Sequence, residues 1–416
     1  MRFLFIHQNF PGQFRHLAPA LAAQGHQVKA LAITGQALGA VELVNYKPQR
    51  GTSPNIHPWV SEFETKVIRG EACAYAMVGL REEGFEPDLI VAHPGWGESL
   101  FAKDVWPRAK VLSFLEFYYA TRGSDVGFDA EFAKSGLQED ARLRLKNANN
   151  LLALEASDWG LCPTLWQRQT LPAMFQDRVS VIFDGIDTDL VRPDPAARLS
   201  VGKPDAPEQE RWELKPGDEV ITFVNRNLEP YRGYHVFMRA LPKVLAQRPK
   251  ARVLIVGGDG VSYGAKPADA PSWKKRFLDE VADRLDLGRV RFLGNVPYAS
   301  YLRLLQVSAC HVYLTYPFVL SWSCIESLSA GCLVVGSKTP PVMEAIRHGD
   351  NGLLVDFFDV DGLADTVVDV LSKPTQWAPL RSRARALAIE RYDLKRVCLP
   401  QQLRLLNSLA RGELPS

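Results

Sequence analysis

The sequence predicts an α/β protein made of two doubly wound parallel sheets in tandem. Three observations carry that expectation. Apolar runs of strand length alternate with helical patterns from the third residue onward, the order that builds βαβ units. The alternation breaks in a turn-rich stretch, Arg192–Gly217, with prolines at 193, 195, 204, 207 and 216, and then restarts. The length of 416 residues leaves room for two or three cores.

The elements follow in order. Phe3–Ile6 reads as a buried strand, Gly12 to about Ala23 as a helix stopped by Gly25, and Val28–Ile33 as the next strand. Similar runs recur at Leu89–Ala92, Val111–Phe114 and Gly160–Cys162. Beyond the turn-rich stretch, strands are expected at Val220–Val224, Arg252–Val256, Val290–Phe292, His311–Leu314 and Leu333–Gly336, with a helix from about Tyr234 to Ala246. The last amphipathic segment, Lys395–Leu409, suits either domain. The expected organisation is a first domain over 1–188, a linker or surface excursion over 189–217, a second domain over 218–394, and a final helix within 395–416 that can pack back on the first domain.

Apolar residues make up 46% and charged residues 23%, an ordinary globular mixture that excludes a disordered, collagen-like or disulfide-scaffold chain. The net charge of +2 gives no global attraction to nucleic acid. It conceals a split, however: residues 1–190 carry 18 Lys and Arg against 22 Asp and Glu, and the remainder carries 31 against 25. The basic half is the better host for an anion. The apolar run after Arg2 is too short for a signal peptide, and Cys310–Ile325 is interrupted by His311, Pro317, Ser321 and Ser323, so no membrane span is expected. Six cysteines without paired or metal-type spacing fit a reducing, cytoplasmic setting.

In doubly wound folds ligands meet the carboxyl ends of strands, where glycine loops and helix N-termini face phosphate. The loop after the first strand holds Pro11-Gly12-Gln13, which allows close backbone approach or is simply a turn; His7 and His16 flanking it read as structural. His93 follows a buried strand and is either a satisfied polar residue or a ligand contact, with Trp96 and Glu98 in the same loop. Arg226 and Arg232 follow a strand and precede a helix. Two planar forks of donors there suit a diphosphate, the alternative being a surface salt bridge with Glu229. Gly257-Gly258-Asp259-Gly260 lacks the spacing of a nucleotide loop and reads as a turn. Ser323 and Glu326 form either an S-x-x-E capping box or, through Glu326, a contact to a ribose diol.

Taken together these loops resemble the retaining, nucleotide-sugar-dependent glycosyltransferases of family 4 (group 1), whose GT-B architecture sets two Rossmann-like domains facing across a cleft. The resemblance runs in order through VIFDGIDTD (181–189), Arg226 to Arg232-Gly233 in place of an R-x5-K-G loop, RFLGNV (291–296), and Glu326-Ser327 with Ala330-Gly331, Val334-Val335 and Ser337. It closes on HGDNGLLVD (348–356), and Ala92–Trp96 echoes an H-x-H-D-W-like segment. The largest departure is Phe318, which stands where the family's E-x7-E motif has its first glutamate.

The resemblance implies transfer of a hexose-type sugar with retention from a nucleotide diphosphate, UDP first and GDP or dTDP next. It casts His93, Arg226 and Arg232 as catalytic, and Gly12, Gln13, Asn295, Val319, Leu320, Ser321, Ser323 and Glu326 beside the two arginines as donor contacts. Trp96, Glu98, Tyr118 and Tyr119 are the acceptor-side candidates. Asp187 and Asp189 have D-x-D spacing but belong to the interdomain turn, so no metal or other cofactor is expected. The acceptor is a glycan, a lipid-linked sugar, a protein or a small molecule; peripheral membrane contact is allowed but not indicated, and no nucleic acid is expected. The alternatives are a non-catalytic nucleotide-sugar-binding protein and a nucleotide-sugar epimerase. A nicotinamide oxidoreductase is disfavoured because neither half has the dinucleotide glycine spacing.

Overall fold

In the computed structural model, which describes residues 1–134, 136–202, 207 and 211–415, the chain divides into two units. Unit 1 is Met1–Gly185 with Lys395–Ser416, and unit 2 is Ile186–Leu394.

Unit 1 is built on seven parallel strands: β1 (Arg2–Ile6), β2 (Gln27–Ala32), β3 (Glu42–Asn45), β4 (Leu89–Ala92), β5 (Lys110–Phe114), β6 (Trp159–Cys162) and β7 (Val179–Val181). Their spatial order is β3-β2-β1-β4-β5-β6-β7. Strand order therefore reverses between β1 and β4, where Ile6 pairs opposite Ala92. Successive side chains of a strand point to opposite faces, so Phe3 and Phe5 enter one core cluster and Leu4 and Ile6 the other. The second cluster is covered by α2 (Ser61–Glu82) through Cys73, Met77 and Leu80. The first is covered by α1 (Leu17–Ala23) and by a helix near the far end of the chain, Leu399–Ala410, whose Leu405, Leu406 and Leu409 are buried beside Phe3 and Val28.

The expected helix from Gly12 to Ala23 is in fact two pieces, a single 3₁₀ turn at Gly12–Phe14 and α1. Pro19 explains the break. It has no N–H to reach the carbonyl of Arg15 and is costly in a helix interior, whereas the first turn of a new helix, where α1 places it, tolerates it.

Unit 2 repeats the winding with β10 (Val220–Asn227), β11 (Arg252–Gly258), β12 (Val290–Gly294), β13 (Cys310–Tyr313), β14 (Val334–Ser337) and β15 (Leu353–Val355), all parallel. Their order is β12-β11-β10-β13-β14-β15, reversing between β10 and β13. Ahead of them, β8 (Leu199–Val201) and β9 (Trp212–Leu214) pair antiparallel. The stretch expected as a linker is therefore partly ordered structure belonging to unit 2. Trp212 is buried with Arg252 and Arg291 over its ring at 4.6 and 4.4 Å, which anchors the ribbon. Residues 203–206, Pro204 among them, and 208–210 lie outside the described residues. All six cysteines are free and buried, and no helix of the described residues is long and apolar enough to cross a membrane.

Candidate functional site

Each unit presents polar side chains at the carboxyl ends of the two strands that flank its reversal point, where a doubly wound sheet leaves a crevice. In unit 1 these are His7, directly after β1, and His93, directly after β4, with ring centroids 5.4 Å apart. Gly12 packs against His7 so closely that a Cβ there would lie 2.3 Å from the ring, and its φ of +47° is unfavourable for other residues. Trp96 stacks on His93 at 4.3 Å.

The polar chain through this site has one direction. The Asn9 N–H donates to His7 Nδ1 (3.0 Å), so Nε2 carries the proton and donates to Gln13 Oε1 (2.8 Å). Gln13 Nε2 in turn donates to Glu116 Oε1 (3.2 Å). On the other side the Gly95 N–H donates to His93 Nδ1 (3.3 Å), and His93 Nε2 faces Glu116 Oε2 (3.3 Å). Burial and the neighbouring His93 hold His7 down to about 4, so it is neutral at physiological pH. Burial pushes Glu116 upward, but the hydrogen bonds from His93 and Gln13 outweigh it and hold the carboxyl below its ordinary range.

Glu116 was absent from the sequence expectations. It lies two residues beyond β5, in a loop held from three sides. Cys162 Sγ meets the Leu115 carbonyl, Gln167 Nε2 donates to the Glu116 carbonyl, and Asn147 bonds both the N–H and the carbonyl of Tyr119. Asn147, Asn149 and Asn150 all lie in α3 (Leu137–Ala156); Asn149 donates to the Pro94 carbonyl (2.7 Å) and Asn150 to that of Phe117 (3.3 Å). Three asparagines within four residues of a helix interior were the available signal, because asparagine disfavours that position unless its amide is used. Among the acceptor-side candidates, Glu98 is fully buried with neither carboxylate oxygen hydrogen-bonded among the described residues, and burial raises it to about 7. Tyr119 carries Lys146 over its ring at 3.9 Å, and Tyr118 packs against the cluster around Leu115.

In unit 2 the two arginines separate. Arg226, near the end of β10, is exposed and forms no ion pair among the described residues. Arg232 is buried, and its Nη1 donates to Thr315 Oγ1 and to the Val319 carbonyl, both at 2.9 Å. Its guanidinium lies over the rings of Tyr263 and Phe318 at 5.1 and 5.8 Å. It therefore braces the loop after β13 and is not the open fork that the spacing suggested. Glu229 forms no salt bridge with either arginine; it is buried and accepts from the N–H groups of Ser262 and Tyr263, while burial raises its carboxyl. Gly233 begins α4 (Tyr234–Gln247) with φ +68°, and a Cβ there would lie 2.3 Å from that of Leu314.

The S-x-x-E capping box is also corrected. The helix α5 (Trp322–Ser329) begins at Trp322 with Ser321 as its cap, so Ser323 is already inside it and cannot cap. Glu326 instead accepts from Tyr298 (2.7 Å) and Tyr301 (2.9 Å). Ser321 donates through its N–H and hydroxyl to the Tyr313 hydroxyl, and Ser321 and Ser323 share a 2.8 Å bond. Leu320 is buried, whereas Asn295 is exposed after β12.

Residues 24–191 match the family described as Glycosyl transferase family 4 group, and residues 205–391 match Glycosyl transferases group 1. A D-inositol 3-phosphate glycosyltransferase of Rhodococcus jostii is 29% identical over 213 residues, which cover 50% of this chain and 43% of that one. The chain thus spans less than half the length of that relative. Among solved structures, sucrose-phosphate synthase from Thermosynechococcus elongatus superposes with a TM-score of 0.72 at 18% identity, over 99% of this chain and 100% of that one. Anabaena HepE in complex with UDP-glucose gives 0.67 at 16% identity, over 98% and 100%. The fold is that of the GT-B proteins.

Proposed function

Because the chain belongs to the group 1 glycosyl transferases with a family 4 N-terminal half, we propose that it moves a hexose-type sugar from a nucleotide diphosphate to an acceptor hydroxyl. The observation that carries this reading is Arg226, an exposed cation without an ion-pair partner among the described residues, at the carboxyl end of the central strand of unit 2. A departing diphosphate gains negative charge in the transition state, and only contacts that strengthen as that charge appears accelerate the step. Arg226 supplies such a contact, the start of α4 adds aligned N–H groups, and Arg232 contributes a fixed positive charge while holding the loop that carries Val319 to Ser321. Glu326, held by two tyrosines, takes the ribose diol.

UDP is the first-choice carrier, supported by the UDP-glucose named with the Anabaena protein, and the inositol phosphate in the Rhodococcus enzyme's name supports a polyol acceptor. Retention follows by same-face attack. The bond from the anomeric carbon to the diphosphate breaks, the acceptor oxygen bonds to that carbon, and its proton passes to the departing phosphate oxygen. Phe318 leaves no carboxylate at its position, and this route needs none. With side-chain cations at the diphosphate, the step proceeds without a bound metal, and chelation by EDTA leaves turnover unchanged.

A second reading, a binding protein without turnover, is favoured by the engaged Nη1 of Arg232 and by Phe318. Thermal-shift screening with UDP-, GDP- and dTDP-sugars selects the donor, since ligand binding stabilises by RT ln(1+[L]/Kd). Release of the nucleotide diphosphate from the selected donor then separates the readings. Binding without any release supports the second, and no binding to any of the three sinks both.

A further inference from the structure

Both ring nitrogens of His93 are already occupied, and this decides what the residue offers a ligand. Nδ1 takes only a long 3.3 Å bond from the Gly95 N–H, too weak to fix the tautomer alone, and Nε2 is directed at Glu116 Oε2, which accepts its proton. The mirror-image arrangement holds on the other side of the carboxylate. His7 engages the oxygen of the Gln13 amide, which turns the amide NH₂ toward Glu116 Oε1. Two donors thus converge on the two oxygens of one carboxylate. The geometry assigns Glu116 as the positioning residue of the unit 1 site: it holds His93 as the Nε2–H tautomer, so that His93 meets a ligand as a hydrogen-bond donor and not as a base.

Three features support the assignment. The loop that carries Glu116 is tied to β6, α3 and the Gln167 side chain, so the carboxylate's place is set by the scaffold. The Glu116 side chain is one-third exposed while that of His93 is 5% exposed, so a ligand reaches the pair from the carboxylate side. The His93–Glu116 separation of 3.3 Å also exceeds the roughly 2.7–2.9 Å of a strong charge-assisted bond. A ligand hydroxyl can exchange into it, donating to Glu116 and accepting from His93. The ligand class is accordingly a hydroxyl of a sugar or polyol, an identification that rests on the transferase reading above; the tautomer does not.

The test is ¹⁵N NMR of histidine-labelled full-length protein at neutral pH without nucleotide sugar, with the His93 signals assigned by their loss in His93→Gln. One bare and one protonated ring nitrogen, the proton on Nε2, are expected in the parent protein. Glu116→Ala should move His93 toward the mixed pattern of a free imidazole, and Glu116→Asp should keep part of the parent pattern. Where transfer is measurable, Glu116→Ala should lower kcat/KM by about 10- to 100-fold, the usual range for a partner that orients a functional histidine. Unchanged His93 ring-nitrogen shifts in Glu116→Ala, or a proton on Nδ1 in the parent, overturn the assignment. Because the spectra need no substrate, a parent chain that transfers no sugar would count against the transferase reading alone.

Discussion

Replacing Arg226 with alanine removes an exposed guanidinium with no ion-pair partner among the described residues. Stability should therefore stay within about 0.5 kcal/mol of the parent, while kcat/KM falls at least about tenfold if the residue meets the diphosphate. Arg232→Ala should behave differently, because it removes a buried guanidinium and leaves Thr315 Oγ1 and the half-buried Val319 carbonyl without their charged donor. A loss of about 2–3 kcal/mol is expected in urea titrations, together with lost activity. Similar stability losses in the two variants would show that the distinction drawn from burial is wrong. Glu98 gives a pH-dependent case. Burial raises it to about 7 from an unfolded value of 4.5, so the folded chain retains a proton that the unfolded chain loses between those values. Stability contributed by this site falls as pH rises through that window, by up to about 3 kcal/mol. Glu98→Gln should be more stable than the parent at pH 8 and level with it at pH 4.5; equal stability at both would refute the argument.

At the scale of elements, α3 holds both loops of the unit 1 site through its asparagine amides. An Asn-to-Ala change inside a helix should gain about 0.6 kcal/mol from propensity alone. Asn149→Ala is nevertheless expected to lose about 1 kcal/mol net, because the buried bond to the Pro94 carbonyl disappears, and to raise KM as the 93–97 turn loosens. A net stabilisation in thermal melts would contradict the role given to Asn149. Ten strands were legible from apolar runs to within about three residues, since burial on both faces leaves a continuous pattern in sequence. The short edge strands β3, β7 and β15 and the ribbon β8–β9 were missed, because three or four residues make too short a run. The start of α5 was not. Ser321 and Ser323 are equally good caps on paper, yet Ser321 takes the cap position without a side-chain capping bond, its N–H and hydroxyl going to Tyr313 eight residues upstream. Glu116 was missed for a related reason. A lone carboxylate after a strand carries no local signal, and its meaning arises from His93 and Gln13, which are distant in sequence.

At the scale of the whole chain, each unit contains a deeply buried neutral imidazole. Burial holds His311 in unit 2 at about 4, as it and His93 do His7 in unit 1. The unfolded chain binds these protons near 6.5, so stability should decline as pH falls from about 6.5 to 4, and His311→Gln should flatten that decline for unit 2. Removing residues 395–416 has a larger expected effect. Leu405, Leu406 and Leu409 would no longer cover the sheet of unit 1. At about 1.5–3 kcal/mol per buried leucine this approaches a domain's whole stability. The truncated chain should keep one cooperative urea transition, that of unit 2, and lose the other; retention of both would show that the helix is dispensable.

The discontinuity of unit 1 also has a consequence for biosynthesis. A ribosome emits residues 1–185 first, then the whole of unit 2, and only afterwards the helix Leu399–Ala410 that covers the first sheet. Unit 2 is contiguous and can fold as it emerges, whereas the earlier-made unit must wait with an apolar face uncovered until translation has passed that helix. The segment synthesised first is thus the last to mature, and during that interval it is the natural client for chaperones.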